Sequence, residues 1–486
     1  MHNPWLDKKP GITLDGYGLF YQRDQTWFKQ SKAWIEYLTR CQALLQLGKP
    51  VVDVGVFTGE EIPRRSILPD RLVNMLPGIF GEEKVVAEKK RLQFEGQPQR
   101  ELPVGVSHSD NMADPENYID PLNGYKYDCF NPDVLLQMKV KNGRAVTPGG
   151  AGYAVLIIPG RHPMNPNTQM SENVKTKLKQ LANAGVKIIA GEEYLQRLGR
   201  NKNIFAAPYM GGSFSGAGIE KDITVVNGVK NIAWAHRQAN DTDIYFISNQ
   251  ANQRDTLKIS FRSKEKIPEL YFPETNEIFR APYGVFNKSR TEVILILEAH
   301  QSAFIIFRKK TVKPYFGYSE LNCPGIYNPV LNIENGWRIK FDNTNGGPLD
   351  ELRCDTLRSW TSSANDSIKY YSGTAVYTNT IYWEDKSRSQ TARLHIDSLW
   401  DIATVSINGK VCGTLWTPPY SVDISKVLKQ GENIIQIEVT NTWRNRLIGD
   451  EMLPPEKRKT WFNSPYKVND KPLLPAGISG KVWIEK

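Results

Sequence analysis

The feature that most constrains the fold is the stretch of residues 431–450, GENIIQIEVTNTWRNRLIGD. Apolar Ile435, Ile437 and Val439 alternate with polar residues, and this period of two is typical of a β-strand with one buried face. The alternation ends at Trp443, which stands among arginines. The stretch therefore predicts a half-buried strand followed by a change of structure.

Shorter apolar runs upstream predict the partners of this strand. Asn408 and Gly409 separate two of these runs, and an Asn-Gly pair indicates a hairpin because both residues tolerate positive φ. The predicted partner strands are 391–396, 405–408 and 411–416. The C-terminal third is therefore predicted to be an antiparallel β-sandwich.

The segment after the strand has the side chains of a sugar-binding site. Trp443 offers an apolar face to a sugar ring, and Arg444 and Arg446 can hydrogen-bond to sugar hydroxyls. The alternative is that Trp443 caps the sandwich and the arginines form surface ion pairs. The residues alone leave both interpretations open.

Several motifs of this region, taken in order, resemble the galactose-binding-like jelly roll of many glycoside hydrolases. Their order and spacing are most similar to the terminal module of α-L-rhamnosidases of glycoside hydrolase family 106. The resemblance implies an enzyme that releases terminal rhamnose from glycans by an inverting mechanism, with calcium as a possible cofactor. The motifs are Ser359-Trp360, Tyr371 to Tyr377, Ile407 to Lys410, Pro418 to Tyr420, Asn433, and Asn441 to Arg446.

Length and composition indicate a multidomain globular chain. At 486 residues, it is long enough for roughly three domains of about 150 residues. No apolar run reaches the roughly 20 residues of a membrane span. The net charge of +10 (62 − 52) comes from short, scattered basic clusters, which do not favour nucleic-acid binding. The five cysteines form no Cys-x-x-Cys pair, which argues against a zinc site, and a single Cys323 to Cys354 bridge stays open.

Residues 1–30 combine Gly, Pro, Trp and Tyr without a sustained period. They resemble the end of the catalytic barrel of family 106 enzymes, so we expect them to be a barrel remnant, with most of the barrel upstream. They contain no secretory signal. The expected location is periplasmic or extracellular if the full-length protein carries a signal peptide.

Residues 31–210 are predicted to form a parallel α/β domain. Residues 50–57, 153–159 and 186–190 are apolar runs typical of strands buried on both faces. Periodic apolar residues predict helices over 31–47 and 171–184. The pattern resembles a flavodoxin-like or glutamine-amidotransferase-like sheet. Cys129 lacks the glycine elbow of an amidotransferase nucleophile, so that activity is rejected.

Two β-sandwiches are predicted to follow. A Gly/Ser-rich linker over 211–222 leads to short alternating runs, which predict a small sandwich over 211–312. The predicted galactose-binding-like jelly roll occupies 313–486. The predicted fold is thus a parallel α/β domain followed by two antiparallel sandwiches.

Glycoside hydrolysis generally needs two carboxyl groups. Glu60 and Glu61 follow the first predicted strand, where open α/β sheets bind ligands, and Asp128 stands in an aromatic and polar segment. Each of the three is as readily explained as a helix cap or a solvated loop residue.

The resemblance places the catalytic acid and base within the barrel, largely upstream of this chain. It implies a sugar-facing role for a set of side chains without making any of them catalytic. The set is His2, Trp5, Trp27, Glu60, Asp128 and Trp443. The alternative is a non-catalytic carbohydrate-binding module, in which no part of the protein hydrolyses the glycan. No Asp-x-Asp-x-Asp loop identifies a calcium site.

Overall fold

The computed structural model describes residues 9–11, 21–92 except 63 and 65, 119–161, 166–228, 231–310 except 282, 287 and 288, 329–384, 391–463 and 471–485. Two compact units divide the chain. One contains residues 41–323, and the other combines residues 1–40 with residues 324–486.

Residues 41–323 contain a five-stranded sheet in which all neighbouring strands run parallel. Strand residues alternate between two buried apolar clusters, one on each face, which explains the continuous apolar runs of the sequence. The strands are β3 (Val54–Phe57), β4 (Tyr127–Phe130), β8 (Val155–Ile158), β9 (Lys187–Ala190) and β10 (Ile204–Ala206). Their order across the sheet is β10-β9-β8-β3-β4.

Helices supply the layers that cover this sheet. They are α2 (Pro69–Leu72), α3 (Pro77–Phe80), α5 (Pro132–Gln137), α6 (Glu172–Asn183) and α7 (Glu192–Leu198). Two further helices are α1 (Lys32–Leu45) and α4 (Glu82–Leu92). Leu178 and Leu181 of α6 belong to one buried cluster, and Leu76 and Ile79 near α3 belong to the other. The Ser171 hydroxyl accepts a hydrogen bond from the Val174 amide, so Ser171 caps α6 as predicted.

Two details of the predicted α/β part differ in the structure. The first predicted strand is split: β2 (Lys49–Pro50) pairs with a strand of the following sandwich, and Val54 begins β3. The predicted linker over 211–222 is packed, because Phe214 is fully buried in the core cluster that contains Tyr125. The Phe214 amide donates to the Tyr125 hydroxyl at 3.0 Å, and that hydroxyl donates to the Ile219 carbonyl. This Gly/Ser-rich stretch is therefore part of a folded core.

A small antiparallel sheet stands beside the parallel one. Its three strands are β5 (Lys139–Lys141), β6 (Arg144–Val146) and β7 (Gly152–Tyr153). It places Arg144 within reach of the start of β3, where the guanidinium pairs with Asp53 at 2.7 Å.

The same unit contains two larger antiparallel sheets with one shared apolar core. Alternating residues of these strands point into that core, as the period-2 runs predicted. The first sheet is ordered β11 (Ile223–Asn227), β14 (Asp255–Phe261), β18 (Arg290–Leu297), β17 (Tyr283–Phe286). The second is ordered β16 (Glu277–Arg280), β15 (Lys266–Phe272), β19 (Ser302–Lys310), β13 (Thr242–Asn249), β12 (Ile232–Ala239), β2.

The other unit is built from two antiparallel sheets around a core rich in Trp and Tyr. The larger sheet is ordered β22 (Leu352–Cys354), β21 (Trp337–Phe341), β23 (Thr374–Trp383), β28 (Gly431–Thr440), β25 (Ile402–Ile407), β26 (Lys410–Leu415). The smaller is ordered β20 (Pro329–Asn332), β30 (Gly477–Glu485), β24 (Arg393–Trp400), β27 (Ser421–Asp423). The strand predicted from the alternation is β28, and it lies inside the larger sheet between β23 and β25.

Local signals in this unit are confirmed. Asn408 and Gly409 join β25 to β26 with φ values of 53° and 76°, the positive values that an Asn-Gly hairpin requires. The change of structure predicted after β28 is helix α9 (Arg444–Glu451), and a shorter helix, α8 (Asp366–Lys369), precedes β23. A short parallel pair joins β1 (Lys9–Gly11) to β29 (Thr460–Phe462).

The described part of the chain is thus mostly β, with sandwich-like sheets. None of the helices that the structure describes has the length and apolar character needed to span a lipid bilayer.

Candidate functional site

Glu60 and Glu61 lie beyond the carboxyl end of β3, as predicted, and both bind backbone. Glu60 Oε2 accepts from the Ser171 amide at 2.6 Å, just before α6. Glu61 Oε1 accepts from the Asn167 amide at 3.0 Å, and its Oε2 accepts from the Asn167 side chain at 3.3 Å. The two carboxylates therefore hold the loop that leads into α6, and a catalytic role for either stays a prediction.

Asp128 is placed within β4 and faces a tyrosine. The Tyr153 hydroxyl donates to Asp128 Oδ2 at 3.5 Å. Burial raises the pKa of Asp128, and the Tyr153 hydrogen bond only partly opposes this shift. A carboxyl group with a raised pKa suits a general acid. Asp128 binds the Tyr153 hydroxyl, whereas Glu60 and Glu61 bind backbone amides, so these hydrogen bonds do not link Asp128 to the two glutamates.

Cys129, the next residue of β4, has the environment of a structural thiol. Its sulfur accepts a hydrogen bond from the Ile67 amide at 3.2 Å. Burial raises the pKa of Cys129 to about 11. A nucleophilic cysteine needs a lowered pKa, so this environment supports the rejection of amidotransferase chemistry.

Trp443 is 6% exposed, so little of its indole face is open to a sugar. Its Nε1 donates to the Asp24 carbonyl at 2.7 Å, which ties the end of β28 to the N-terminal segment. Arg446 is also buried, and its Nε donates to the Tyr370 carbonyl at 2.9 Å. These contacts favour the interpretation in which the tryptophan and this arginine pack the sandwich, and sugar binding by Trp443 stays a prediction.

The structure brings Trp27 into the neighbourhood of Trp443. Trp27 is half-buried and its ring lies 5.4 Å from that of Tyr21, which is 50% exposed. Gln30 Nε2 donates to Thr440 Oγ1 at 3.1 Å, so this segment rests against the end of β28. Residues 21–31 therefore pack against the end of β28 and form an aromatic surface of their own with Tyr21, Trp27 and Phe28. His2 and Trp5 lie outside the described residues.

Sequence reasoning missed a buried charge network in the residue 41–323 unit. His236 Nδ1 lies 2.7 Å from Asp222 Oδ2, and His236 Nε2 lies 3.5 Å from Asp243 Oδ1. The Tyr245 hydroxyl donates to Asp222 Oδ1 at 2.8 Å, and Lys266 pairs with Asp243 at 2.9 Å. The members come from β12, β13, β15 and the residue before β11, so no single local motif contains them.

Electrostatics within this network favour the charged forms. Burial alone would lower the pKa of His236, but the Asp222 and Asp243 carboxylates outweigh burial and raise it. Burial would raise the pKa of Asp243, but His236 and Lys266 lower it to about 2. The network is thus an imidazolium held between two carboxylates, each with a further cation.

Asp53 extends this network to the start of β3. Arg144 pairs with Asp53 at 2.7 Å, and Arg262 reaches both Asp53, at 2.9 Å, and Asp222, at 3.6 Å. The Asp53 side chain is 1% exposed, so two guanidinium groups compensate a fully buried carboxylate. The position of these residues indicates a structural role.

A second histidine cluster lies on the smaller sheet of the jelly roll. His395 Nε2 lies 2.5 Å from Glu485 Oε1 and 3.1 Å from Ser421 Oγ, and the Trp483 ring stacks on the imidazole at 5.1 Å. Burial and the nearby Arg393 lower the pKa of His395 to about 3. Burial raises the pKa of Glu485 to about 7. Both shifts indicate a neutral pair in which a protonated carboxyl donates to the imidazole.

The family resemblance implies calcium as a possible cofactor, and a calcium ion requires several oxygen ligands. Across the described residues, no three His, Cys, Asp or Glu side chains are grouped so as to hold a metal ion.

Comparison with known proteins gives two family matches. Residues 1–85 and 189–285 match the family model described as alpha-L-rhamnosidase, glycoside hydrolase family 106. Residues 361–468 match the model described as glycosyl hydrolase 2 galactose-binding domain-like.

Two individual proteins extend these matches. The structure of a rhamnosidase from Novosphingobium sp. PP1Y aligns with all of this chain at a TM-score of 0.77 and 25% identity, and the alignment covers 44% of that protein. A Formosa agariphila protein named "Putative beta-glucuronidase" is 23% identical over 93% of this chain and 55% of its own length. The chain thus spans about half the length of each relative.

The sandwich-rich fold and these matches together make the chain similar to proteins of the glycoside hydrolase class. Within that class, the chain is similar to the α-L-rhamnosidases of family 106, and residues 361–468 match a galactose-binding-like domain. The resemblance seen in the sequence is confirmed.

Proposed function

We propose that this chain works as part of an α-L-rhamnosidase that releases terminal rhamnose from an oligosaccharide or polysaccharide. The observation that carries the proposal is the alignment of the whole chain with the Novosphingobium rhamnosidase at a TM-score of 0.77. The family match to residues 1–85 and 189–285 supports it independently.

An assay with an aryl α-L-rhamnoside tests the proposal. The 486-residue chain and a longer polypeptide, extended by any in-frame upstream codons, are each incubated with this substrate. We expect turnover from at least one of them, with inversion of the anomeric centre followed by NMR. Absence of turnover from both would overturn the proposal.

A second candidate activity comes from the name of the Formosa relative, which specifies β-glucuronide substrates for that protein. A glucuronide carries a carboxylate that a rhamnoside lacks, so the two activities separate in parallel assays with the two aryl glycosides. Preference for the glucuronide would replace the rhamnosidase proposal.

The third candidate is a non-catalytic carbohydrate-binding module. Glu60 and Glu61 support it, because both carboxylates are engaged with backbone amides of residues 167–171. It predicts saturable glycan binding without hydrolysis from either polypeptide. Trp27→Ala tests the aromatic surface of residues 21–31 better than a substitution of buried Trp443, because Trp27 is only half-buried.

We further infer that the parallel sheet is of the flavodoxin-like or glutamine-amidotransferase-like type. Numbered along the chain, its strands lie in the order 2-1-3-4-5, which is the order of flavodoxin-like sheets. Within this proposal, residues 31–210 form the α/β domain, 211–312 the small sandwich and 313–486 the jelly roll. Limited proteolysis that yields fragments with these limits would support the division.

A further inference from the structure

A cleft opens at the carboxyl edge of the parallel sheet. It has a volume of about 370 Å³, and its walls include the loops that follow β8, β9 and β10. Open α/β sheets bind ligands at this edge, outside the carboxyl ends of the strands. The volume lies within the range of about 300–1,000 Å³ that is typical of small-molecule sites.

The cleft combines hydrogen-bond acceptors and charged donors. Four carboxylates, two guanidinium groups and one methionine are among the side chains that line it: Asp70, Glu88, Glu192, Glu193, Arg71, Arg161 and Met75. A carboxylate only accepts hydrogen bonds and a guanidinium only donates them. A ligand that satisfies both must therefore donate and accept at adjacent atoms.

Two glycines shape this cleft. A Cβ at Gly160 would lie 2.8 Å from Glu193 Oε2, and a Cβ at Gly191 would lie 2.7 Å from the Gly160 Cα. Glu193 Oε1 in turn accepts from the Arg161 amide at 3.3 Å. Because Gly160 and Gly191 have no side chains, the Glu193 carboxylate can lie against the loop after β8. This contact fixes the position of one hydrogen-bond acceptor of the cleft.

We propose that this cleft binds a neutral saccharide of monosaccharide size. Each sugar hydroxyl donates and accepts a hydrogen bond, so adjacent hydroxyls can use a carboxylate and a guanidinium together. The excess of carboxylates over guanidinium groups disfavours an anion, and the two guanidinium groups supply the donors that a ligand hydroxyl needs. Among the described residues, no group of three ligating side chains is arranged for a metal ion, which disfavours a divalent cation. This inference goes beyond the proposed hydrolase activity and does not require it.

A site-resolved titration tests the proposal. The chain is labelled at the methionine methyl groups, and the Met75 resonance is assigned with Met75→Leu. L-rhamnose, D-galactose and D-glucuronate are then titrated separately. We expect at least one neutral sugar to shift the Met75 resonance saturably, and the charged glucuronate to bind more weakly.

Substitutions identify the side chains responsible. Glu193→Ala and Arg161→Ala should each weaken binding about tenfold or more, the factor expected for one lost charge-assisted hydrogen bond. Both side chains are exposed, so the fold should be retained, and circular dichroism checks this. Lys202→Ala, in a separate surface cavity beyond α7, is the matched control and should leave the affinity unchanged.

Three results would overturn the proposal. They are no saturable Met75 shift with either neutral sugar, an affinity unchanged by both cleft substitutions, or stronger binding of glucuronate. If Glu193→Ala unfolds, Arg161→Lys keeps the test intact because it retains the charge and removes the planar fork. Aryl rhamnoside turnover, measured in parallel, should be equal in all cleft variants, so failure of this site and failure of the hydrolase proposal give different results.

Discussion

Two buried histidines, each beside a carboxylate, show opposite electrostatic outcomes. His236 lies between Asp222 and Asp243, and its pKa is raised. His395 contacts Glu485, and its pKa is lowered to about 3. The distance between imidazole nitrogen and carboxylate oxygen is short in both clusters, so proximity alone does not decide the charge state.

The difference lies in what else surrounds each pair. Asp222 and Asp243 each have a second cation, Arg262 and Lys266, so their carboxylates stay ionised and favour an imidazolium. Burial of Glu485 outweighs the nearby Arg393 and raises the pKa of its carboxyl, and Glu485 Oε2 has no hydrogen-bond partner in the described structure. An unpaired oxygen costs much less on a neutral carboxyl than on a carboxylate. The buried histidine is charged where its carboxylates form direct ion pairs with further cations, and it is neutral where burial outweighs a nearby cation.

The largest expected effect comes from Asp222→Asn. This change removes the charge that supports His236 and Arg262 but keeps the side-chain volume. Removing one partner of a buried ion pair costs about 3–5 kcal/mol, so the free energy of unfolding should fall by up to that amount, because Asp53 and Asp243 stay as partners of the two cations. Urea unfolding measures it, with exposed Glu83→Ala expected to stay within about 0.5 kcal/mol of the parent. A loss below about 1 kcal/mol would contradict a charged network.

Glu485→Gln is the matching change of a carboxyl to an amide in the second cluster. The glutamine amide can donate to His395 Nε2 as the protonated carboxyl does, so we expect a change of less than about 1 kcal/mol in the unfolding free energy. The measurement is again urea unfolding. A cost as large as that of Asp222→Asn would show that the His395–Glu485 pair is ionic, and the contrast between the two clusters would then be lost.

The smallest effect is a difference in pH dependence. NMR titration of the imidazole protons should give His236 a pKa above 6.5, the ordinary value for histidine. His395 should stay neutral until about pH 3. A common pKa near 6.5 for both residues would contradict the comparison.

The same pKa shifts determine whether the free energy of unfolding rises or falls with pH. A raised pKa means that the contribution of His236 is present below pH 6.5 and is lost as pH rises through its folded pKa. In the second cluster, the lowered pKa of His395 removes stability as pH falls from 6.5 towards 3, and the raised pKa of Glu485 removes it as pH rises from 4.5 to about 7. Between pH 4.5 and 6.5, the folded and unfolded forms of this pair each hold one proton. Hydrogen exchange should therefore show β12 losing protection above pH 6.5, with β24 nearly constant from pH 4.5 to 6.5.

Much of the fold was predictable because its signals are local. The period-2 alternation of Ile435, Ile437 and Val439 identified β28, and Asn408-Gly409 identified the hairpin beside it. The predicted linker over 211–222 was wrong in character, since Phe214 is fully buried. Its glycines and serines indicate flexibility, whereas a single aromatic residue anchors the stretch in a core that only the tertiary structure reveals.

The candidate site was less predictable, because side-chain partners come from distant parts of the chain. The position of Glu60 beyond β3 was expected, but its partner, the Ser171 amide, lies more than a hundred residues away. The motif around Trp443 was consistent both with sugar binding and with a tryptophan that caps the sandwich. Trp443 Nε1 donates to the Asp24 carbonyl, which belongs to a segment at the opposite end of the sequence. Residue type suggested the chemistry, and long-range contacts determined what each residue does.

The buried carboxylate of Asp53 limits where the chain can be divided into separately expressed fragments. One of its guanidinium partners, Arg144, belongs to the small sheet beside β3, and the other, Arg262, follows β14 of the sandwich. A fragment ending at the glycine-rich stretch near residue 211 would keep the acid and lose Arg262, together with Phe214. The boundaries of an expressed fragment are therefore better placed outside residues 41–323 than within the Gly/Ser-rich stretch 211–222.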